Sequence, residues 1–246
     1  MKFFRNILAP LLFIGFLSQQ ANSAVYLVDG QVTDKKVNFT APTLTSYLSS
    51  SGDFTVPAGA KRLEVEMVGG GGGGGGSGTT APTTASSGDS TTFGTSLLTA
   101  GGGQGGSSVN GAGGTCTVNS PATGYGVIGQ SGNGSIMSTS GQVLAGVAGG
   151  NSFFGGAGVG IYNSAGGNAV TNSGSGGASG SALGNGVHSG NGGGAGCYIK
   201  AQIAGTLSST YAYKVGSGGS GGASGTSGAA GGNGAAGMIR IRVYYQ

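Results

Sequence analysis

Residues 67–78 read MVGGGGGGGGSG, where strand-like alternation ends in eight consecutive glycines that carry no side-chain code for structure. Just upstream, DFTVPAGAKRLEVEMVG (53–69) alternates Leu63, Val65 and Met67 with Arg62, Glu64 and Glu66. That period of two predicts a half-buried strand, entered through a turn at Pro57-Ala58-Gly59. MIRIRVYYQ (238–246) repeats the pattern, with Ile239, Ile241 and Val243 opposite Arg240, Arg242 and Tyr244. An antiparallel pair of these two strands would set Arg240 and Arg242 against Glu64 and Glu66, adding a few tenths to about 1 kcal/mol of cross-strand attraction. The two strands would then clamp the ends of the glycine-rich region. Alternation also predicts strands in TTFGTSLLTA (91–100), CYIKAQIAG (197–205) and TYAYKVG (210–216), and no stretch after the N-terminus has a helical period.

Of the 61 glycines, 56 lie between Gly69 and Ala236, about one residue in three. Collagen is excluded, because the Gly-X-Y period is not kept and Pro82 and Pro121 are the only prolines in that stretch. Disorder is disfavoured as well. The interval has three charged residues, Asp89, Lys200 and Lys214, whereas solvated disordered chains rely on charge or proline. Order without side chains must come from the backbone. Threefold extended helices of the polyproline II type have no internal hydrogen bonds and can direct every N–H and C=O to a neighbour. Glycine alone lets such helices approach on several sides, with Cα–H···O contacts added. The fold class expected is therefore all-β and irregular: an antiparallel β clamp (strands near 54–69, 91–100, 197–205, 210–216 and 238–245) carrying a stacked array of polyglycine II helices. Apolar islands such as GYGVIG, SIMS, QVLAGV, NSFFGG, GVGIYNS and GVHS separate the glycine runs and are read as loops, where recognition residues can vary without disturbing a scaffold.

At the N-terminus, Lys2 and Arg5 precede the apolar run ILAPLLFIGFL (7–17), and small residues follow to Ala24. Residues 1–24 read as a secretory signal peptide, 25–52 as an arm or linker with a hairpin turn at Asp29-Gly30, and 53–246 as the glycine-rich domain. No later segment is long and apolar enough to predict a membrane span. Removal of the signal leaves eight basic against six acidic residues, and no basic patch with interleaved aromatics points to nucleic acid. In an exported chain Cys116 and Cys197 are free to oxidise, and a disulfide between them is expected, two buried free thiols being the alternative.

Four stretches in this order, SSSGDFTVPAGAKRLEVEMVGGGGGGGGSGT, GDSTTFGTSLLTAGGGQGG, YAYKVGSGGSGG and GGNGAAGMIRIRVYY, resemble the glycine-rich domain of bacteriophage tail-fibre proteins and tip adhesins, and related secreted bacterial proteins. The resemblance covers roughly residues 42–246. It implies a polyglycine II sandwich whose distal loops bind receptors on a bacterial surface. The export signal departs from phage fibres, which assemble in the cytoplasm. Either a cell has adopted the module as a secreted adhesin, or the fold serves another purpose.

Catalysis finds little support in the sequence. His188 is the only histidine and has no acidic neighbour, the aspartates sit near turns, and alternation puts Glu64 and Glu66 on one strand face, where they are read as solvated. The many matches to G-x-G-x-x-G arise by chance in a glycine-saturated chain, and no calcium-type acidic repeat occurs. No enzyme activity, cofactor or metal is expected. The function expected is that of a secreted or surface-displayed adhesin for a cell-envelope polysaccharide or outer-membrane protein, with Tyr125, Phe153, Phe154, Ile161 and Tyr162 as candidate contacts. Residues 25–52 would be the place for a fibre or carrier to dock, and a homo-oligomer is compatible with exposed edge strands. The alternatives are an ice-binding protein and a passive coat or matrix protein.

Overall fold

Among the described residues fourteen strands form, the longest of them where apolar and polar residues alternate. In the computed structural model they are β1 (Tyr26–Val28), β2 (Gln31–Thr33), β3 (Thr43–Tyr47), β4 (Ser51–Thr55), β5 (Arg62–Val68), β6 (Thr91–Phe93), β7 (Leu98–Ala100), β8 (Cys116–Val118), β9 (Thr123–Val127), β10 (Ile136–Met137), β11 (Val143–Ala145), β12 (Tyr198–Ala204), β13 (Thr210–Lys214) and β14 (Met238–Tyr244). The structure describes residues 26–28, 31–33, 41–47, 49–137, 143–184 and 187–246. The signal peptide read at 1–24 and the turn at Asp29-Gly30 lie outside the described residues. The chain divides into units 1–40 and 41–246. In the first, β1 and β2 pair antiparallel, with Val28 opposite Gln31.

The second unit holds two five-stranded antiparallel sheets, ordered β3-β14-β5-β12-β9 and β4-β13-β6-β7-β8. The expected antiparallel pairing of β5 with β14 is present, and its register sets Arg240 opposite Glu66 and Arg242 opposite Glu64. Leu63, Val65, Met67, Ile199, Ile203, Ile239, Ile241 and Val243 of the first sheet join Phe54, Phe93, Leu98 and Tyr211 of the second in one buried cluster. Phe93, fully buried, stacks on Tyr211 with ring centroids 5.2 Å apart. The core thus lies between the two sheets.

Several strand readings are corrected. Residues 54–69 are not one strand: Pro57 and Gly59 (φ 81°) break the run, so β4 and β5 fall in different sheets. Residues 91–100 form a hairpin, because Gly94 and Ser96 adopt positive φ and fold β7 back on β6. Thr43–Tyr47, read as linker, is β3 and pairs with β14. GYGVIG, read as a loop island, lies largely in the edge strand β9. Its glycines gave no strand signal, yet the packing requires them: a Cβ on Gly126 would overlap Cys116, and one on Gly124 would overlap Ala201 and the Lys200 carbonyl.

The glycine-rich segments continue from the strand ends, and their hydrogen bonds step in threes. Gly69, Gly72, Gly75 and Gly78 donate N–H to the carbonyls of Cys197, Gly194, Asn191 and His188. Gly70, Gly73 and Gly76 donate to Asp89, Ser86 and Thr83, and Gly71, Gly74 and Ser77 to Ala235, Gly232 and Ala229. The carbonyls of the same run accept from Gly103 and Gly106, from Gly219, Gly222 and Gly225, and from Gly177 and Gly180. Six chain segments therefore surround residues 69–78. Residues 173–181 and 189–197 are bonded in the same manner, to one another, to 69–78 and to outer segments, and all three runs are buried throughout. These runs form a second core made of backbone.

Serines do the small amount of side-chain work in that core. Ser175 Oγ donates to the Gly155 carbonyl at 2.7 Å, Ser181 Oγ to that of Ile161 at 2.6 Å, and Ser179 Oγ accepts from the Val147 N–H at 2.9 Å. Each buried hydroxyl thereby finds a partner and ties a peripheral turn to a central segment.

Candidate binding face

The pleat sends Tyr198, Lys200 and Gln202 of β12 to the outer face of the first sheet, level with Val68, Glu66 and Glu64 of β5 and Met238, Arg240 and Arg242 of β14. Glu64 is buried and Glu66 half-buried, so the reading of both as solvated from alternation alone is corrected. Cross-strand cations cover them: Lys200 Nζ lies 3.2 Å from Glu66 Oε1 and 3.8 Å from Glu64 Oε1, and Arg242 Nη1 donates to Glu64 Oε1 at 3.0 Å. Glu64 is only 9% exposed. Tyr198 Oη donates to Glu66 Oε1 at 3.1 Å. Burial, reinforced by the Glu66 carboxylate, pushes the Tyr198 phenol well above its ordinary range, and the hydrogen bond to Glu66 followed by the charge of that carboxylate raises the Lys200 ammonium. Arg62 covers the Tyr244 ring at 4.2 Å and reaches Gln202 Oε1 at 3.4 Å.

Tyr198 is also the seat of an aromatic cluster. Phe153 stacks on it with centroids 4.1 Å apart and planes 15° apart; Phe154 meets it edge-on at 5.4 Å, and Tyr125, on the neighbouring strand β9, is tilted at 6.4 Å. The Arg240 guanidinium lies over the Phe154 ring at 5.1 Å. Phe153 and Tyr125 remain 65% and 55% exposed. The turn that presents Phe153 and Phe154 is fixed by hydrogen bonds. Ser152 and Gly155 form a bridge, Ser152 Oγ bonds the Ser173 carbonyl, the Phe154 N–H donates to Ser152 Oγ at 3.1 Å, and Asn151 N–H donates to Gln130 Oε1 at 2.9 Å. With the buried Ser175 holding Gly155, the exposed rings are borne by the backbone core.

The five candidate contacts thus fall in two places. Tyr125, Phe153 and Phe154 meet around Tyr198, next to the strand ends. Ile161 and Tyr162 sit at the other end of the glycine segments: Gly180 N–H donates to Gly75, Ser181 N–H to Ser164, and Ser181 Oγ to Ile161, which sets that turn level with the Gly75–Gly78 end. They are half-exposed there and have no part in the cluster. Tyr198, Lys200 and Arg240 were missed as site residues. The alternation of CYIKAQIA already put Tyr198 and Lys200 on one face, but nothing in sequence brings Phe153 to that face across a gap of more than forty residues.

The Cys116–Cys197 disulfide is present, with Cα atoms 5.6 Å apart, and joins β8 of the second sheet to the entry of β12 in the first. A cleft of about 340 Å³ opens among the loops of the second sheet, lined by the hydroxyl residues Thr95, Ser96, Ser120, Thr206, Ser208 and Thr210 together with Tyr211. His188 is exposed, and its backbone, not its ring, bonds Gly78. Among the described residues no cluster of His, Cys, Asp or Glu could hold a metal ion, and no helix is long and apolar enough to cross a membrane. No family model, curated protein or solved structure matches the chain.

Proposed function

We propose that this chain is an exported, adhesin-type binding protein without enzymatic activity, whose scaffold is a polyglycine II array and whose ligand is a polysaccharide or protein of a cell envelope. The three-residue step of the hydrogen bonds and the six-neighbour surroundings of residues 69–78 support the polyglycine II reading, since a threefold helix presents every third peptide to the same neighbour. The disulfide is compatible with an oxidising compartment. The order of motifs shared with tail-fibre and tip-adhesin domains supports the adhesin class.

The observation that carries the binding reading is the exposed Phe153 ring, held by stacking on the buried Tyr198 and flanked by Tyr125. Large rings locked in place offer contact area at small entropic cost, and on a face rimmed by charges they form an anchor for a ligand. The sequence reading put the contacts on loops; the proposed face combines one turn with the strands beneath it.

Binding of the oxidised protein to a panel of bacterial cells and purified envelope glycans tests this. A Tyr125→Ala/Phe153→Ala variant is expected to lose at least ~10-fold in affinity, as removal of aromatic anchors does. An Ile161→Ala/Tyr162→Ala variant, altered at the other end of the array, is expected to bind as the parent does. The reverse pattern would move the site to the opposite end. Absence of binding together with thermal hysteresis would replace the proposal by ice binding.

A further inference from the structure

The outer face of the first sheet carries four cations, Arg62, Lys200, Arg240 and Arg242, against two carboxylates, Glu64 and Glu66. The carboxylates are already engaged. Glu64 is held by Arg242 and Lys200, and Glu66 Oε1 takes both Lys200 and the Tyr198 hydroxyl. Arg240 stands opposite Glu66 in the register, yet it forms no ion pair among the described residues, because Glu66 is drawn to the β12 side. Its guanidinium rests over Phe154, in the same aromatic cluster as the exposed Phe153, and the residue is exposed. A fixed, uncompensated cation next to an open aromatic platform is a composite recognition element. The ring takes the apolar face of a flat ligand, and the guanidinium takes a planar anion in bidentate fashion.

We infer that the ligand of this face is an acidic saccharide, a uronic-acid-type residue whose pyranose ring stacks on Phe153 beside Tyr125 and whose carboxylate pairs with Arg240. The inference rests on the binding-protein reading above and adds the ligand class. A neutral sugar would use the rings and leave Arg240 idle. A single-stranded nucleic acid would also use rings and cations, but it would bring a phosphate for every base. Among the described residues this face offers only two cations without a carboxylate partner, Arg62 held over Tyr244 and against Gln202 and Arg240 beside the rings, together with two carboxylates that would repel a continuous line of charge.

Calorimetric titration of the full-length oxidised protein with oligogalacturonate, with its fully methyl-esterified form and with an oligothymidylate is the test. Oligogalacturonate is expected to bind at least ~10-fold more tightly than the ester at low ionic strength. Arg240→Gln is expected to abolish that difference, chiefly by weakening binding of the acid, and Phe153→Ala to weaken both. Glu64 and Glu66 keep their partners in Arg240→Gln, so a folding defect is not expected, and an unchanged melting temperature checks this. Equal binding of acid and ester, no binding of oligogalacturonate, or oligothymidylate binding at or above the oligogalacturonate level would each overturn the inference. Retention of bacterial-cell binding alongside such a result would show that the adhesin reading survives while the acidic-ligand assignment fails.

Discussion

Gly74→Ala is expected to destabilise the protein by about 3 kcal/mol or more, enough to lower its melting temperature by roughly 10 °C or to prevent folding. Gly74 lies in the middle of the eight-glycine run, with its N–H on the Gly232 carbonyl and its own carbonyl on the Gly222 N–H, both at 2.9 Å. A Cβ there would overlap the carbonyl of Ala178. That obstacle is backbone, so no rotamer change clears it. It belongs to residues 173–181, themselves enclosed by neighbouring segments, so the strain cannot dissipate locally. The matched control is Gly156→Ala. Gly156 is exposed, has ordinary φ, and would present a Cβ to open space. There the substitution only narrows the unfolded ensemble, and the expected result is an unchanged or slightly higher stability, by up to about 1 kcal/mol. Chemical denaturation of the two variants checks both. A Gly74→Ala protein within about 1 kcal/mol of the parent would mean that the glycine run is not packed on all sides.

Loss of the disulfide is the second large effect. Cys116 and Cys197 are separated by 81 positions, and the loop they close contains two of the three central runs of the backbone core, 173–181 and most of 189–197. Constraint of a loop of that length in the unfolded chain corresponds to about 4 kcal/mol in the chain-entropy account. Few of the large side chains within the loop are buried, so hydrophobic burial offers little to replace the constraint, and ordering glycine costs more backbone entropy than ordering any other residue. The Cys116→Ala/Cys197→Ala variant is therefore expected to unfold at a denaturant concentration well below that of the oxidised parent, with a stability lower by about 4 kcal/mol. An unchanged midpoint would show that the backbone network holds the loop unaided.

The clamp was legible from the sequence because β5 and β14 obey a period of two and carry complementary charges, whereas the register that sets Arg240 opposite Glu66 and Arg242 opposite Glu64 comes from the structure. The places where that pattern misled are those where a second face is covered. Glu64 sits on the outer face, but Lys200 and Arg242 roof it, which alternation within one strand cannot foresee. β9 was invisible because Gly124 and Gly126 remove the β-propensity signal that close packing against Ala201 and Cys116 makes unnecessary. The aromatic cluster was half legible. Tyr125, Phe153 and Phe154 stand out as bulky residues in a bland chain, whereas their meeting over Tyr198 depends on how glycine segments are stacked, and glycines carry no register code. Ile161 and Tyr162 have the same local character, and only the hydrogen-bond ladder separates them from the others.

Residues 69–78 form a buried core element held by main-chain hydrogen bonds to six neighbouring segments. Site-resolved amide hydrogen exchange of Gly69–Gly76 tests it most directly. Each of these amides has a backbone acceptor, from Cys197 for Gly69 to Thr83 for Gly76. They are predicted to exchange as slowly as the amides of β5 and β14, at the rate set by global unfolding. Exchange of the glycine amides at the rate of an unstructured peptide, while β5 and β14 stay protected, would mean that the glycine run is a tether between strands and not a core element.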